Sequence, residues 1–282
     1  MENKQLSTVV IIFLILSLTS FVPLNYNDDT VDIAGGPKIR VMNFNLHFGV
    51  EVNVGYKLDG FREVILDENP NIIAFQEITA DFAVNGFANM LADMQEMMEE
   101  IGYPYSYIQK GSRAKLRNAI FSQYEITSAT TVYYDTDTPF IRSFLDIIVD
   151  VNGIEARIFA THITHLPIGE SGPERIAMIA ELFDYINTQT VSNFIILGDF
   201  NTRDDFDSEY SIMTAKFIDG WNATHPDQLG ATFHSDRTVD EGVNERRIDY
   251  ILLSIDIAIS DCAVIDTDVS DHRPIYCDIT LS

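Results

Sequence analysis

Two short segments carry the side chains best suited to chemistry, Gly198-Asp199-Phe200-Asn201 and Ser270-Asp271-His272-Arg273-Pro274. The first follows the apolar run Ile195-Ile196-Leu197; in the second a carboxylate and an imidazole are neighbours. Such a pairing suits a site that holds a hard metal ion and moves a proton. Other apolar runs are bounded in the same way. Asn45, Glu77, His162, Asp199, Asn201, Asp249, Asp271 and His272 all fall where extended segments end or begin. One such residue is explained by a local turn or cap. Eight repeating the pattern point to a shared site, because open α/β sheets place ligands beyond one edge of their strands. Carboxylates and amides without cysteine favour Mg²⁺ or Mn²⁺ over Zn²⁺.

The elements that must position these groups are legible from periodicity. Over Lys38–Leu46, Ile39, Val41, Asn43 and Asn45 share one parity; Arg40, Met42, Phe44 and Leu46 share the other. That alternation predicts a strand with amides at its C-terminal end. Asp59–Glu68 reads as a helix stopped by Asn69-Pro70. Ile72–Phe75 is a short strand leading into Gln76-Glu77, and Phe82–Ile101 a Met-rich amphipathic helix closed by Gly102 and Pro104. Further strands are expected at 119–121, 130–134, 144–151, 156–162, 194–197, 247–253 and 275–281. Ser171-Gly172-Pro173-Glu174 opens a helix that runs to about Asn187.

The chain has 282 residues and a net charge of −25, which suits one large domain with a strongly acidic body. Such a body disfavours tight, sequence-independent binding of nucleic acid. It does not exclude a nuclease, since a divalent cation can invert the field at a site. Lys4, the apolar run Val9–Leu18 and the small residues Ser17, Thr19 and Ser20 fit an export signal. Counted from Thr8 to Leu24 the run reaches the lower end of spanning length, so an uncleaved anchor stays open. Residues 1–24 are therefore assigned as signal or anchor, 25–37 as linker and 38–282 as one domain, secreted or anchored outside the cytoplasm. Outside the cytoplasm Cys262 and Cys277 could pair; otherwise they are two small buried hydrophobes.

Taken together, Met42-Asn43-Phe44-Asn45, Gln76-Glu77, Asn118-Ala119-Ile120-Phe121-Ser122, Thr161-His162, Gly198-Asp199-Phe200-Asn201, Asp249-Tyr250-Ile251 and Ser270-Asp271-His272-Arg273-Pro274 resemble the endonuclease/exonuclease/phosphatase superfamily. The motifs appear in that family's order over residues 38–282. The resemblance implies an α/β four-layer sandwich, two mixed β-sheets face to face with helices outside. It also implies divalent-metal-dependent cleavage of a phosphate ester. Carried over, Glu77 is the main metal ligand with Asn45 beside it, and Asp271 assists there or orients His272. Asp199 orients or deprotonates the attacking water, and Asn201 holds a phosphate oxygen. His272 contacts the scissile phosphate and moves a proton. His162 stabilises or protonates the leaving oxygen, with Asp249 as its partner.

The chain departs from the family where Ser122-Gln123 replaces a common Ser-Arg. Arg142 could supply the missing cation, or sit on the surface. His47 and His165 are additional, and match His-rich variants of the family's segments. The substrate reading follows: a phosphodiesterase or phosphatase acting as a monomer on a small or lipid-linked ester, with membrane association through the N-terminal segment. The alternatives are an extracellular Mg²⁺-dependent endonuclease and, from another class, a non-catalytic binding module. The acidic run Asp204, Asp205, Asp207 and Glu209 reads as a solvated loop.

Overall fold

Alternating apolar residues build two six-stranded mixed sheets that face each other. The computed structural model describes residues 35–282 except 52–53, 81–82, 112–114, 167–171, 191, 205–206 and 235–244. Contacts divide the chain into Met1–Val31 and Asp32–Ser282, and the second unit holds all of the described residues. The expected signal or anchor, and the linker as far as residue 34, lie outside them. Among the described residues no helix is long and apolar enough to cross a membrane.

In chain order the elements are β1 (Lys38–Asn45), β2 (Val50–Glu51), β3 (Gly55–Tyr56), α1 (Asp59–Glu68), β4 (Ile72–Ile78), α2 (Met90–Glu100), β5 (Tyr105–Ile108), β6 (Arg117–Ser122), β7 (Ile126–Tyr133), β8 (Ser143–Val151), β9 (Ile154–His162), α3 (Pro173–Asn187), β10 (Asn193–Asp199), α4 (Asp207–Thr214), β11 (Ile218–Asp219), α5 (Gly220–Thr224), β12 (Asp249–Leu253), β13 (Ala258–Val264) and β14 (Ile275–Thr280). The first sheet runs β13-β14-β1-β4-β6-β5 and the second β11-β12-β10-β9-β8-β7. Each contains one parallel pair, β1/β4 and β9/β10, flanked by antiparallel neighbours.

Three apolar layers separate the four structural layers. Ile39, Val41, Ile72, Ala74, Leu145, Ile147, Ile158, Ile195, Leu197 and Ile251 fill the space between the sheets. Met42, Phe44, Ile73 and Phe75 pack outward with Phe61 and Ile65 of α1 and Met90, Met94, Met97 and Met98 of α2. Phe144, Phe159, Ile196 and Leu252 do the same with Met178, Ile179, Leu182 and Phe183 of α3. Each fully buried side chain of this size stabilises the fold by about 1.5–3 kcal/mol relative to exposure. The four-layer sandwich expected from the sequence is the fold observed.

Differences from the sequence reading have local causes. The helix expected from Phe82 begins only at Met90, because Gly86 and Phe87 take φ of 69° and 62°, which no right-handed helix contains. Asn69, also left-handed at φ 44°, ends α1 where the sequence places its stop. Glu209 is not a solvated loop residue: it is fully buried and lies 3.4 Å from Arg175 Nε. Cys262 and Cys277 are register partners on β13 and β14 and form a disulfide. A Cβ on Gly220 would come within 2.7 Å of Cys277 Sγ, so the bridge requires glycine at the start of α5.

Candidate active site

The inward-facing parity of several strands changes from apolar to polar at one end of the sandwich. Ile39 and Val41 are followed on the same face of β1 by Asn43 and Asn45; Ile72 and Ala74 by Gln76; Ile158 and Ala160 by His162; Ile195 and Leu197 by Asp199. On β12, running the other way, Asp249 precedes Ile251 and Leu253. Register then sets Asn45 opposite Gln76, and Asp199 between His162 and Asp249. All of these polar groups are buried, which is tolerable only when they bond one another.

They do so around two carboxylates. Asp199 Oδ2 accepts from Asn45 Nδ2 at 3.0 Å and lies 3.3 Å from His162 Nε2 and 3.9 Å from His272 Nε2. Its Oδ1 accepts from the Asn201 backbone N–H at 2.9 Å. Asp249 Oδ2 bonds His272 Nδ1 at 2.8 Å, and its Oδ1 accepts from Asn43 Nδ2, whose own Oδ1 accepts from Gln76 Nε2 at 2.8 Å. The sequence pairs Asp249 with His162; the structure gives Asp249 to His272. His162 is held instead by Arg142, whose Nη1 lies 2.8 Å from Nδ1. Arg142 is 6% exposed, so it belongs to the site and not to the surface. It supplies the cation that Gln123 does not; Gln123 is occupied by the Asn71 side chain.

Glu77 breaks the parity. By alternation it belongs with Ile73 and Phe75, beneath the helices. A left-handed φ of 62°, at a break in the β4/β6 register between Phe75 and Ile78, brings it instead to the cavity. His47, Phe48 and Asn201, with φ of 42°, 63° and 48°, line the same cavity. Four of the seven left-handed non-glycine residues described therefore meet here, each at a cost of about 1–3 kcal/mol. Such strain is retained where a backbone must aim a functional group.

The cavity has a volume of about 370 Å³ and is open to solvent on one side. Glu77, Asp199, Asn201, Asp271, His162 and His272 line its floor; Arg142, Arg203 and Arg246 add positive charge, and Phe48, Leu116, Phe140, Phe233 and Ile248 add apolar wall. His47 Nδ1 lies 3.4 Å from Asp271 Oδ1, so Asp271 meets His47 and is not bonded to the His272 ring. His165, on the rim, packs 5.7 Å from Phe140.

Burial raises Asp199 to about 7, with the Asp249 charge adding to the effect and His272 opposing it. Burial alone would lower His272, but the Asp249 charge and hydrogen bond outweigh it and carry the imidazole up to about 10. His162 is pushed well below its usual value, by burial first and then by Arg142. One carboxylate is thus poised to take a proton near neutrality, one imidazole is held charged and the other neutral.

Glu77 is the group that fits a cation. Its Oε2 is buried with no hydrogen-bond partner, and burial raises its pKa. The His272 and Arg142 charges and the Asn45 side chain oppose that rise and Asp271 adds to it, and the balance leaves the carboxyl raised. An all-oxygen set of Glu77, Asp271 and the Asn45 amide oxygen, which also accepts from the His47 N–H at 3.0 Å, matches a hard divalent ion through the free Glu77 Oε2. Asp199, Asp249 and His272 also bring ligand-capable atoms within 4.8 Å of one another. There, however, both Asp249 oxygens and His272 Nδ1 are already spent on hydrogen bonds.

The sequence profile of the endonuclease/exonuclease/phosphatase family matches residues 42–272, and the chain belongs to that family. Its members are hydrolases of phosphate esters or nucleic acids and are generally dependent on divalent metal. No curated protein matches the chain. Among solved structures, the fold is shared with an endonuclease/exonuclease/phosphatase from Beutenbergia cavernae at 19% identity and TM-score 0.71, over 87% of this chain and 72% of that one. D. rerio TDP2, complexed with single-strand DNA product, is similar at 17% identity and TM-score 0.71, over 86% and 98%. A mannosyl-6-phosphatase from Bacteroides thetaiotaomicron is similar at 18% identity and TM-score 0.65, over 86% and 99%.

Proposed function

We propose, from the premise that the chain belongs to the endonuclease/exonuclease/phosphatase family, that it is an exported, divalent-metal-dependent hydrolase cleaving a phosphate ester of a small or lipid-linked substrate. The observation that carries this reading is the convergence on one cavity of Asp199, the His272–Asp249 pair and the unpartnered Glu77 oxygen. Phosphoryl transfer asks for in-line positioning and charge neutralisation more than covalent chemistry.

Mg²⁺ or Mn²⁺, held by Glu77 with Asn45 and Asp271, would neutralise charge on the phosphate and polarise it toward attack. The chain's own residues do the rest. Asp199 Oδ2 receives the proton of the attacking water, which a carboxylate near 7 does at little cost. His272, kept protonated by Asp249, places a charged Nε2–H where the phosphate oxygens gather charge. Asn201, whose Nδ2 also donates to the Ile163 carbonyl at 3.1 Å, lines the same cavity and supplies a phosphate contact. His162 accepts from Arg142 at Nδ1 and so carries its proton on Nε2, available to the leaving oxygen.

Export is supported by Lys4 and the apolar Val9–Leu18 run, and by a Cys262–Cys277 bridge that oxidising compartments favour. The net charge of −25 argues for a compact ester over a polyanionic nucleic acid.

The test is a panel of sugar phosphates, inositol phosphates, phospholipids, RNA and plasmid DNA, each with Mg²⁺ and with EDTA. Metal-dependent turnover of a small or lipid ester, lost in Asp199→Asn and in His272→Gln, supports the reading. Cleavage confined to DNA or RNA replaces it with a nuclease. Full turnover in both variants overturns the site.

A further inference from the structure

In a chain with 43 acidic and 18 basic residues, an arginine without a carboxylate partner is informative. Arg40, Arg157, Arg247 and Arg273 all pair with acids at 2.7–3.2 Å or closer. Arg246 does not: among the described residues no carboxylate lies within ion-pairing distance, and its Nε is buried without a hydrogen-bond partner. Its neighbour Arg247, one residue on, is locked between Asp204 and Asp219, so the two adjacent arginines have opposite assignments.

Arg246 is also held in place. Its guanidinium carbon lies 4.6 Å over the centroid of the Phe233 ring, and Phe233 meets the His272 ring edge-on at 5.1 Å. Phe233 and Arg246 exchange backbone hydrogen bonds, which fixes the platform. The cation therefore stands one aromatic ring away from His272, in the wall of the reaction cavity. Arg203 lines that wall too; burial first and then the Arg203 charge disfavour the charged form of Arg246, with the Asp199 carboxylate opposing them. Two like charges gathered on one wall, with one of them unpaired, are stabilised by an anion placed between them. The reaction centre is served separately, by His272, His162 and Arg142.

We propose that Arg246, on its Phe233 platform and with Arg203 beside it, is a second anion subsite, so that the preferred substrate carries another phosphate or a comparable anionic group near the ester that is cleaved. This rests on the phosphate-ester reading above. It assigns specificity to residues that contribute nothing to bond breaking: the second anion binds equally in ground and transition state and lowers KM.

Binding and turnover are measured separately so that the two readings fail apart. The probes are two matched pairs with different spacing between phosphates: fructose 1,6-bisphosphate against fructose 6-phosphate, and adenosine 3′,5′-bisphosphate against adenosine 5′-monophosphate. Calorimetry on the full chain carrying Asp199→Asn reads affinity without hydrolysis. At least one bisphosphate should bind tenfold or more tightly than its monophosphate. Adding Arg246→Gln should erase that preference while leaving monophosphate affinity within about twofold, and Arg246→Lys should restore part of it. Unchanged thermal unfolding midpoints establish that the variants fold. Equal affinity within both pairs overturns the subsite, as does a bisphosphate preference that survives Arg246→Gln. If the preference is present but wild type hydrolyses no phosphate ester, the subsite stands and the hydrolase reading fails.

Discussion

Arg142 Nη1 lies 2.8 Å from His162 Nδ1, and because a guanidinium can only donate, this contact fixes which nitrogen of His162 carries the proton. Nδ1 accepts, so Nε2 is protonated and faces Asp199 at 3.3 Å. An arginine thereby makes a neutral imidazole behave as a directed donor.

His162 should accordingly stay neutral through the physiological range. Burial and then the Arg142 charge both lower its pKa, so its ¹⁵N shifts should report the Nε2–H tautomer unchanged from pH 8 down to 6. In Arg142→Gln the largest of the charge effects is gone while burial, His272 and His165 still act, so the titration should move upward without reaching the ordinary value. A His162 that titrates near 6.5 in the wild-type protein would contradict the assignment.

Asp249→Asn tests the other imidazole. The Asp249 charge and hydrogen bond raise His272 to about 10 against burial, so its imidazolium is present across neutral pH. The variant keeps the shape and removes the charge. Turnover at pH 7 should fall by about 10²-fold or more, as loss of a positioned acid–base group does. The linkage sign follows from a folded pKa above the unfolded one: the stabilisation is complete below about 6.5 and lost as pH rises through about 10. The wild-type protein should therefore unfold at higher urea than Asp249→Asn at pH 6, and the gap should close by pH 10.5. A gap that widens with pH would reverse the assignment.

The Cys262–Cys277 bridge closes a loop of sequence separation 15. Loop-closure entropy for that length corresponds to about 3 kcal/mol. Cys262→Ser should lose roughly that much stability by denaturant unfolding, with turnover at 20 °C within twofold of wild type, since neither cysteine lines the cavity. Wild-type stability in that variant would show that the bridge restrains nothing the sheet does not already hold.

Much of this site can be read from the sequence because it follows period two. The polar ends of β1, β9, β10 and β12 continue an apolar parity that is visible in the residues themselves, so Asn45, His162, Asp199 and Asp249 are foreseeable as one edge. Partner choice is not foreseeable in this way. Whether Asp249 meets His162 or His272 depends on how the 270–274 turn lies across the sheets, a long-range relationship that alternation does not encode. The choice between site and surface for Arg142 is left open for a similar reason: an arginine ahead of Ser143 looks the same whether the strand end is at the rim or inside. β13 and β5 go unread because Ala258–Val264 mixes small and charged residues at a sheet edge, and Tyr105–Ile108 is only four residues long.

Glu77 gives the sharpest test of the metal assignment, because stability and ion binding should move in opposite directions. Without a cation its buried Oε2 is unpartnered, and burial together with Asp271 raises its pKa. Burial and Asp271 outweigh the opposing His272 and Arg142 charges and the Asn45 side chain, so the ionised carboxylate costs the fold stability, and Glu77→Gln, which removes the charge and keeps the volume, should raise the unfolding midpoint of the EDTA-treated protein by a few degrees. A ligand that binds only the folded state stabilises by mass action, so Mg²⁺ or Mn²⁺ should raise the wild-type midpoint in proportion to the logarithm of its concentration. In Glu77→Gln that dependence should weaken so that at least tenfold more metal is needed for the same shift. The left-handed φ of 62° places part of the backbone cost of the site at this residue. Glu77→Gly, which relieves the strain and deletes the ligand together, should therefore be more stable without metal than Glu77→Ala. Identical metal titrations in wild type and Glu77→Gln would remove Glu77 from the ligand set.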